Sequence, residues 1–328
     1  MQDFVYWQDM PALKSNLEQV QQIILESTAS VKGKLGEAIK YNFEIAGKEL
    51  RPAFVLLFGQ MGKKGKLKRL LKIASSVEIL HNATLIHDDI VDDSPIRRGR
   101  SSIQDKFGKH IALYAGDYLM ALSLQMLANN TSKITNMRIN GKAMNDILAG
   151  ETAQFGNEYN LDITPEQYLM QIKGKTGILF GYSCFIGAIE GGLSSKKAKL
   201  AQNYGELIGE AFQLMDDILD YTASSSQFKK PVLQDVVNGV YSGPLIFALE
   251  NDRSGDLHEL VRRGKNLSSH NLQRIDQLVS ELGGINQAKN LAEDYTNQAK
   301  ELLTQHFSTY STYDDLLKLT SDLLDRQL

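Results

Sequence analysis

The sequence predicts an all-α protein. Only 6 prolines occur in 328 residues. The stretches between them repeat apolar residues at three- and four-residue intervals, and none shows the alternation of a strand. No fixed-period repeat, low-complexity tract or long linker divides the chain, so residues 1–328 are expected to form a single large helical domain.

Taken in order, the first clear element runs from about Lys68 to about Asp92, where Ala74, Val77, Ile79, Leu80, Leu85 and Ile86 make a wide apolar stripe and Pro95 marks the end. Thr176 to Leu193 is the most apolar stretch. Ser183 and Glu190 interrupt it, so it falls short of the roughly 20 apolar residues of a lipid span and reads as a buried helix. No transmembrane segment is expected. A second long helix carries Tyr204, Leu207, Ile208, Ala211, Phe212, Met215, Ile218 and Leu219 and stops near Ala223, before a loop at Ser224-Ser225-Ser226-Gln227. Short polar loops are expected at Gly62-Lys63-Lys64-Gly65, Ser194-Ser195-Lys196-Lys197 and Asn251 to Gly255. Leu257 to Leu328 reads as helix packed around the outside.

Composition narrows the function. A net charge of -3, with 42% hydrophobic and 23% charged residues, is that of a globular chain without the basic field that nucleic acid requires. The single cysteine, Cys184, excludes an intrachain disulfide or a cysteine-based zinc site and fits a reducing compartment. The N-terminus, Met1-Gln2-Asp3-Phe4, lacks the basic start and apolar core of a presequence, so a cytoplasmic protein is expected.

The chemistry lies in two aspartate clusters, Asp88-Asp89 with Asp92 and Asp216-Asp217 with Asp220. Residues four apart on a helix lie within about 40° of each other around its axis, so Asp88 and Asp92 share a face, as do Asp216 and Asp220. Both clusters end apolar helices, where the helix dipole disfavours carboxylates. Stability does not explain that placement, and a hard divalent cation such as magnesium does. Three basic groups stand near them in the sequence: Lys48 and Arg51 in Gly47-Lys48-Glu49-Leu50-Arg51-Pro52, Arg97-Arg98 after the first aspartates, and Lys229-Lys230-Pro231 after the second. Arginine forks and lysine point charges are donors for diphosphates.

Leu85-Ile86-His87-Asp88-Asp89-Ile90-Val91-Asp92-Asp93-Ser94, followed by Arg97-Arg98-Gly99, resembles the first aspartate-rich motif of the trans-prenyltransferases, the E-polyprenyl diphosphate synthases. Phe212-Gln213-Leu214-Met215-Asp216-Asp217-Ile218-Leu219-Asp220-Tyr221 resembles the second. The resemblance runs from about Ile45 to about Leu249. It implies a helical bundle of the isoprenoid synthase type with a central active-site cavity, and an enzyme that condenses an allylic diphosphate with isopentenyl diphosphate. Asp88, Asp89, Asp92, Asp216, Asp217 and Asp220 would be its catalytic aspartates. Asp88 and Asp92 would hold two magnesium ions, and Asp216 with Asp220 a third. Arg97, Lys175, Thr176, Gln213 and Lys230 would contact the allylic diphosphate; Lys48, Arg51, His81 and Arg98 would bind that of isopentenyl diphosphate. Ionisation of the allylic substrate, attack by the isopentenyl double bond and loss of a proton to the released diphosphate complete the implied reaction.

The growing product is apolar and needs a pocket between helices. Ala83 and Thr84, one turn before Asp88, are small where short-chain members of the family tend to place aromatics, which implies an open tunnel and a hexaprenyl to octaprenyl product. Tyr114, Tyr118, Met120 and Met126 are candidates for its floor. The alternatives are a geranylgeranyl or farnesyl diphosphate synthase, a catalytic subunit that needs a small non-catalytic partner, and a non-catalytic regulatory subunit of the same fold. A homodimer or such a heterodimer is expected. Ala46, Lys229 and Ser242-Gly243-Pro244 depart from the family pattern.

Overall fold

The computed structural model describes residues 7–45, 47–63, 66–131, 134–152, 158–222 and 233–324. Ala46, Lys64, Gly65, Lys229, Lys230, Pro231 and the Ser224 to Gln227 loop lie outside them.

Helices dominate, in the order α1 (Pro11–Thr28), α2 (Gly33–Phe43), α3 (Leu50–Gln60), α4 (Leu67–Val91), α5 (Ile103–Phe107), α6 (Lys109–Asn130) and α7 (Ile134–Thr152). Then come α8 (Pro165–Ile172), α9 (Ile178–Gly191), α10 (Ser195–Thr222), α11 (Gln234–Val237), α12 (Gly243–Asn251), α13 (Asp256–Val261), α14 (Ser269–Glu281), α15 (Gly284–Phe307) and α16 (Tyr313–Leu324). Among the described residues the only strands are β1 (Ile96–Arg97) and β2 (Arg100–Ser101), an antiparallel pair directly after α4. The all-α expectation holds.

The described residues divide into two compact units. The first takes in the described residues of Met1–Lys142, Tyr182–Gln202 and Thr309–Asp315; the second, those of Ala143–Gly181, Asn203–Ser308 and Leu316–Leu328. In the first, α1 opens on Pro11, whose fixed φ suits a first helical turn, and buries Leu13, Leu17, Val20, Ile24 and Thr28 on one face. The bounds of α4 match the sequence reading within a residue. It is buried nearly all round along its middle, down to Ser75, Ser76 and Glu78, which marks it as a central helix of this unit. In the second unit Leu214, Ile218, Leu245, Phe247, Ile275 and Ala288 belong to one apolar core. Leu257, Val261, Ala292, Leu303 and Leu319 are also fully buried, while most residues between them are exposed or half-buried, so the C-terminal helices bury one face each, as helices packed around the outside do.

One expectation changes. Ser194 to Lys197 is a helix start, not a loop: α10 begins at Ser195, and Ser194 Oγ accepts from the Lys197 N–H at 3.3 Å. Serine is favoured as an N-cap because it satisfies an orphan donor of the first turn. Thr176 to Leu193 is almost wholly buried, as expected. Among the described residues, the helix long and apolar enough to cross a membrane by length and composition is α6, with 39% of its apolar window buried inside the protein.

Candidate active site

The first aspartate cluster sits where α4 ends. Asp92 caps the helix, its N–H donating to the Asp88 carbonyl at 2.8 Å, and Asp93 turns into the left-handed region at φ 51°. Asp88 is half-buried and Asp92 exposed. Asp89 points the other way. It is buried, and its Oδ1 accepts from Arg97 Nε at 2.8 Å and Nη2 at 2.5 Å. Burial raises the Asp89 pKa, and the Arg97 bonds and charge pull it back. The β1–β2 hairpin delivers that arginine.

At the tip of the hairpin Arg98 adopts φ 51°, and its Nη1 donates to the Ile45 carbonyl at 2.8 Å. The Arg98 guanidinium lies over Gly47, where a β-carbon would come within 2.9 Å of Nη2. Lys48 is exposed, and its carbonyl accepts from Trp7 Nε1 at 2.9 Å. Arg51 and His81 meet at 3.0 Å between Nη1 and Nε2. Arginine only donates, so His81 Nε2 accepts and the ring is neutral with its proton on Nδ1. Burial first, then the charges of Arg51, Arg98 and Arg97, hold its pKa well below the ordinary imidazole value. His81 therefore orients Arg51 and adds no positive charge. Asn42, Asn82, Asp89, Arg97 and Arg98 help to line an open hollow in this unit.

The second cluster repeats the pattern on α10. Asp216 is half-buried and Asp220 exposed, whereas Asp217 is buried among three donors. Tyr168 Oη donates to its Oδ2 at 2.6 Å, the Gly243 N–H to the same oxygen at 3.2 Å, and Gln213 Nε2 to Oδ1 at 2.9 Å. Burial raises the Asp217 pKa and these bonds lower it. Tyr168 belongs to α8, whose start is fixed by a capping box between Thr164 and Gln167. Gly243 departs from the family pattern and suits this site: a β-carbon there would lie 2.8 Å from Tyr168 Oη. Between α8 and α9 the chain makes a π-helical turn, Lys173–Gly177, a rare form that is frequent at functional sites. It carries Lys175, half-buried, and Thr176, whose Oγ1 donates to Gln213 Oε1 at 2.8 Å.

Each unit thus presents an outward pair of aspartates, a buried middle aspartate held by neighbours, and hydrogen-bond donors close by. Lys230 lies outside the described residues. Sequence reasoning missed Tyr168, Asn82, Glu49 and Glu78. An acid inside the basic Gly47 to Pro52 run, and another in the apolar face of α4, were the available signals for Glu49 and Glu78. Among the described residues no group of three or more His, Cys, Asp or Glu side chains gathers to enclose a metal. Two outward carboxylates per helix, without nitrogen or sulfur donors, suit magnesium, which keeps several waters and completes its shell with substrate phosphates.

The fold and these helix ends define a class, all-α proteins with paired aspartate-rich motifs escorted by phosphate donors. The polyprenyl synthetase family model matches residues 32–282. The chain belongs to this family and is a trans-prenyltransferase. It is 31% identical over 291 residues to component 2 of the heptaprenyl diphosphate synthase of Geobacillus stearothermophilus, covering 89% of this chain and 90% of that one. The crystal structure of a geranylgeranyl pyrophosphate synthase from Lactobacillus brevis has a TM-score of 0.91 at 35% identity, covering 99% of this chain and 100% of that one. A heptaprenyl diphosphate synthase from Staphylococcus aureus has a TM-score of 0.90 at 27% identity, covering 96% and 99%.

Proposed function

We propose that this chain is an E-polyprenyl diphosphate synthase that extends an allylic diphosphate with isopentenyl diphosphate to a hexaprenyl to octaprenyl product, its two units working as one cytoplasmic prenyltransferase domain. The twin arrangement of outward aspartate pairs carries the reading. In each motif the fold holds the middle aspartate inside, leaving Asp88 with Asp92, and Asp216 with Asp220, as the proposed magnesium ligands. Bound magnesium would supply Lewis-acid stabilisation of the charge that builds on a leaving diphosphate.

The protein's own groups do the rest. Arg97, Lys175, Thr176, Gln213 and Lys230 are the proposed donors to the allylic diphosphate, and preorganised donors stabilise a developing anion without reorganising. Lys48, Arg51 and Arg98 hold the diphosphate of isopentenyl diphosphate, with His81 steadying Arg51. Asp89 and Asp217 serve by positioning Arg97 and Gln213. The released diphosphate takes the proton.

The product length rests on Ala83 and Thr84, both small and buried in α4, and on the heptaprenyl names among the relatives. The geranylgeranyl name of the Lactobacillus brevis structure supports the shorter alternative. Purified chain given magnesium, farnesyl diphosphate and isopentenyl diphosphate should release inorganic diphosphate and make products of thirty to forty carbons by chromatography. Growth that stops at twenty carbons establishes the shorter product, and no release without an added second protein establishes an obligate heteromer.

A second subunit is part of this reading. Leu113, Tyr114 and Leu124 stand exposed along α6, and a second copy of this chain is the proposed cover for that face, which would also explain its apolar character. Mass measurement in solution tests it, with a monomer or a mixed pair as the contrary results.

A further inference from the structure

Two buried acids near the basic group in the first unit take no part in the chemistry above. Glu49 is 4% exposed and Glu78 3%. Glu49 adopts φ 54° as the N-cap position of α3, between Lys48 and Arg51. Glu78 lies on α4 one turn before His81 and Asn82. Its Oε1 accepts from Asn82 Nδ2 at 2.9 Å, and Asn82 Oδ1 accepts from Asn42 Nδ2 at 3.0 Å. Glu49 Oε2 is buried and finds no hydrogen-bond partner among the described residues.

The charge of Arg98 acts on both carboxyls. Glu49 faces Glu78 and Arg98; Glu78 faces Arg51 and Arg98. The neighbouring His81 is neutral, and α2 contributes the uncharged Asn42. Two buried carboxylates near each other are costly to ionise together, and an unpaired carboxylate oxygen in such a place is costly again. Burial pushes the pKa of both groups up, and the charge of Glu78 pushes that of Glu49 further. One proton held by the pair relieves both costs by giving Glu49 Oε2 either a hydrogen to donate or one to accept.

We propose that Glu49 and Glu78 share one proton and act as a positioning pair, with uptake of the second substrate's diphosphate linked to protonation of that pair. With the proton in place, the positive charge of Arg51 and Arg98 is available to the diphosphate. Without it, a second carboxylate competes for the same arginines. The inference rests on the assignment of Lys48, Arg51 and Arg98 to that diphosphate.

Calorimetric titration with isopentenyl diphosphate alone, repeated in buffers of different ionisation heat between pH 7.5 and pH 9, tests it. The wild-type chain should take up a fraction of a proton per diphosphate bound that grows across that range as the unliganded pair loses its proton, and its affinity should weaken by roughly fivefold to tenfold. Glu49→Gln should abolish the uptake, flatten the profile and bind more tightly than wild type at pH 9. In steady state its KM for isopentenyl diphosphate should lose pH dependence while that for the allylic substrate keeps it. Equal proton uptake in variant and wild type, or weaker binding by the variant at every pH, overturns the proposal. If Glu49→Gln does not fold, Glu78→Gln is held to the same outcomes. Lys48→Ala and Arg51→Ala separate the two ideas: if neither weakens binding, the site assignment itself has failed.

Discussion

Arg97 places two donors on one oxygen of Asp89, Nε at 2.8 Å and Nη2 at 2.5 Å from Oδ1. The carboxylate is buried and the guanidinium partly exposed, so Asp89 acts as an anchor and Arg97 as the arm. Asp89→Ala should therefore leave the helices intact while releasing the arginine. The allylic KM should rise about tenfold or more, the isopentenyl KM should change less, and the melting temperature should fall by only a few degrees. About tenfold corresponds to 1.4 kcal/mol, in the range of one charge-assisted hydrogen bond. Equal rises in both KM values would refute the anchoring role.

Asp217 stands in the same relation to Tyr168. The tyrosine hydroxyl is a buried donor to a buried carboxylate at 2.6 Å. Tyr168→Phe leaves that oxygen with the Gly243 N–H alone, and should cost about 1–3 kcal/mol of stability, measured by urea unfolding. Phenylalanine fills the same space, so a loss well beyond this range would mean that the hydroxyl supports more than Asp217.

Glu210 offers a pH test in the second unit. Burial, and then repulsion from Glu206 against the attraction of Lys173, place its pKa at about 7. The unfolded value is near that of an ordinary glutamate, so between about pH 4.5 and 7 the folded chain binds a proton that the unfolded chain has released. This contribution to stability is therefore full below pH 4.5 and lost as pH rises through 7, on the order of 3 kcal/mol in all. Glu210→Gln should match wild type in melting temperature at pH 4.5 and exceed it by several degrees at pH 8. No difference at pH 8 would show that Glu210 ionises normally.

Ala83 belongs to the stripe of α4 that also carries Ser76 and His87. Along this stripe α6 lies close: Ser123 Oγ donates to the Ser76 carbonyl at 2.8 Å, and His87 abuts Gly116. Thr84 instead lies directly one turn behind Asp88, with its Oγ1 donating to the His81 carbonyl at 2.9 Å. Ala83→Phe should shorten the product by at least one isoprene unit, read by chromatography. An unchanged product from a folded variant would remove Ala83 from the path. Of the four residues suggested as a tunnel floor, Tyr114 is withdrawn because it is 63% exposed, and Met126 is buried.

Much of this protein is legible in its sequence because the decisive signals are local. Helical periodicity gave the long helices and placed Asp88 with Asp92, and Asp216 with Asp220, since residues four apart share a face whatever surrounds them. The motifs identified the family for the same reason. Periodicity could not say which aspartate of each adjacent pair turns inward, because that depends on Arg97 arriving on a hairpin and on Tyr168 arriving from a helix 49 residues away.

Only the tertiary structure made His81 a neutral acceptor and buried Glu49 and Glu78 near Arg98. Hydrogen bonds and desolvation act between groups that chain order keeps apart, and the cost of a charge is set by what packs around it. The sequence by itself determined which groups this protein has for diphosphate chemistry; packing decided which are presented outward and which are held inside to aim them.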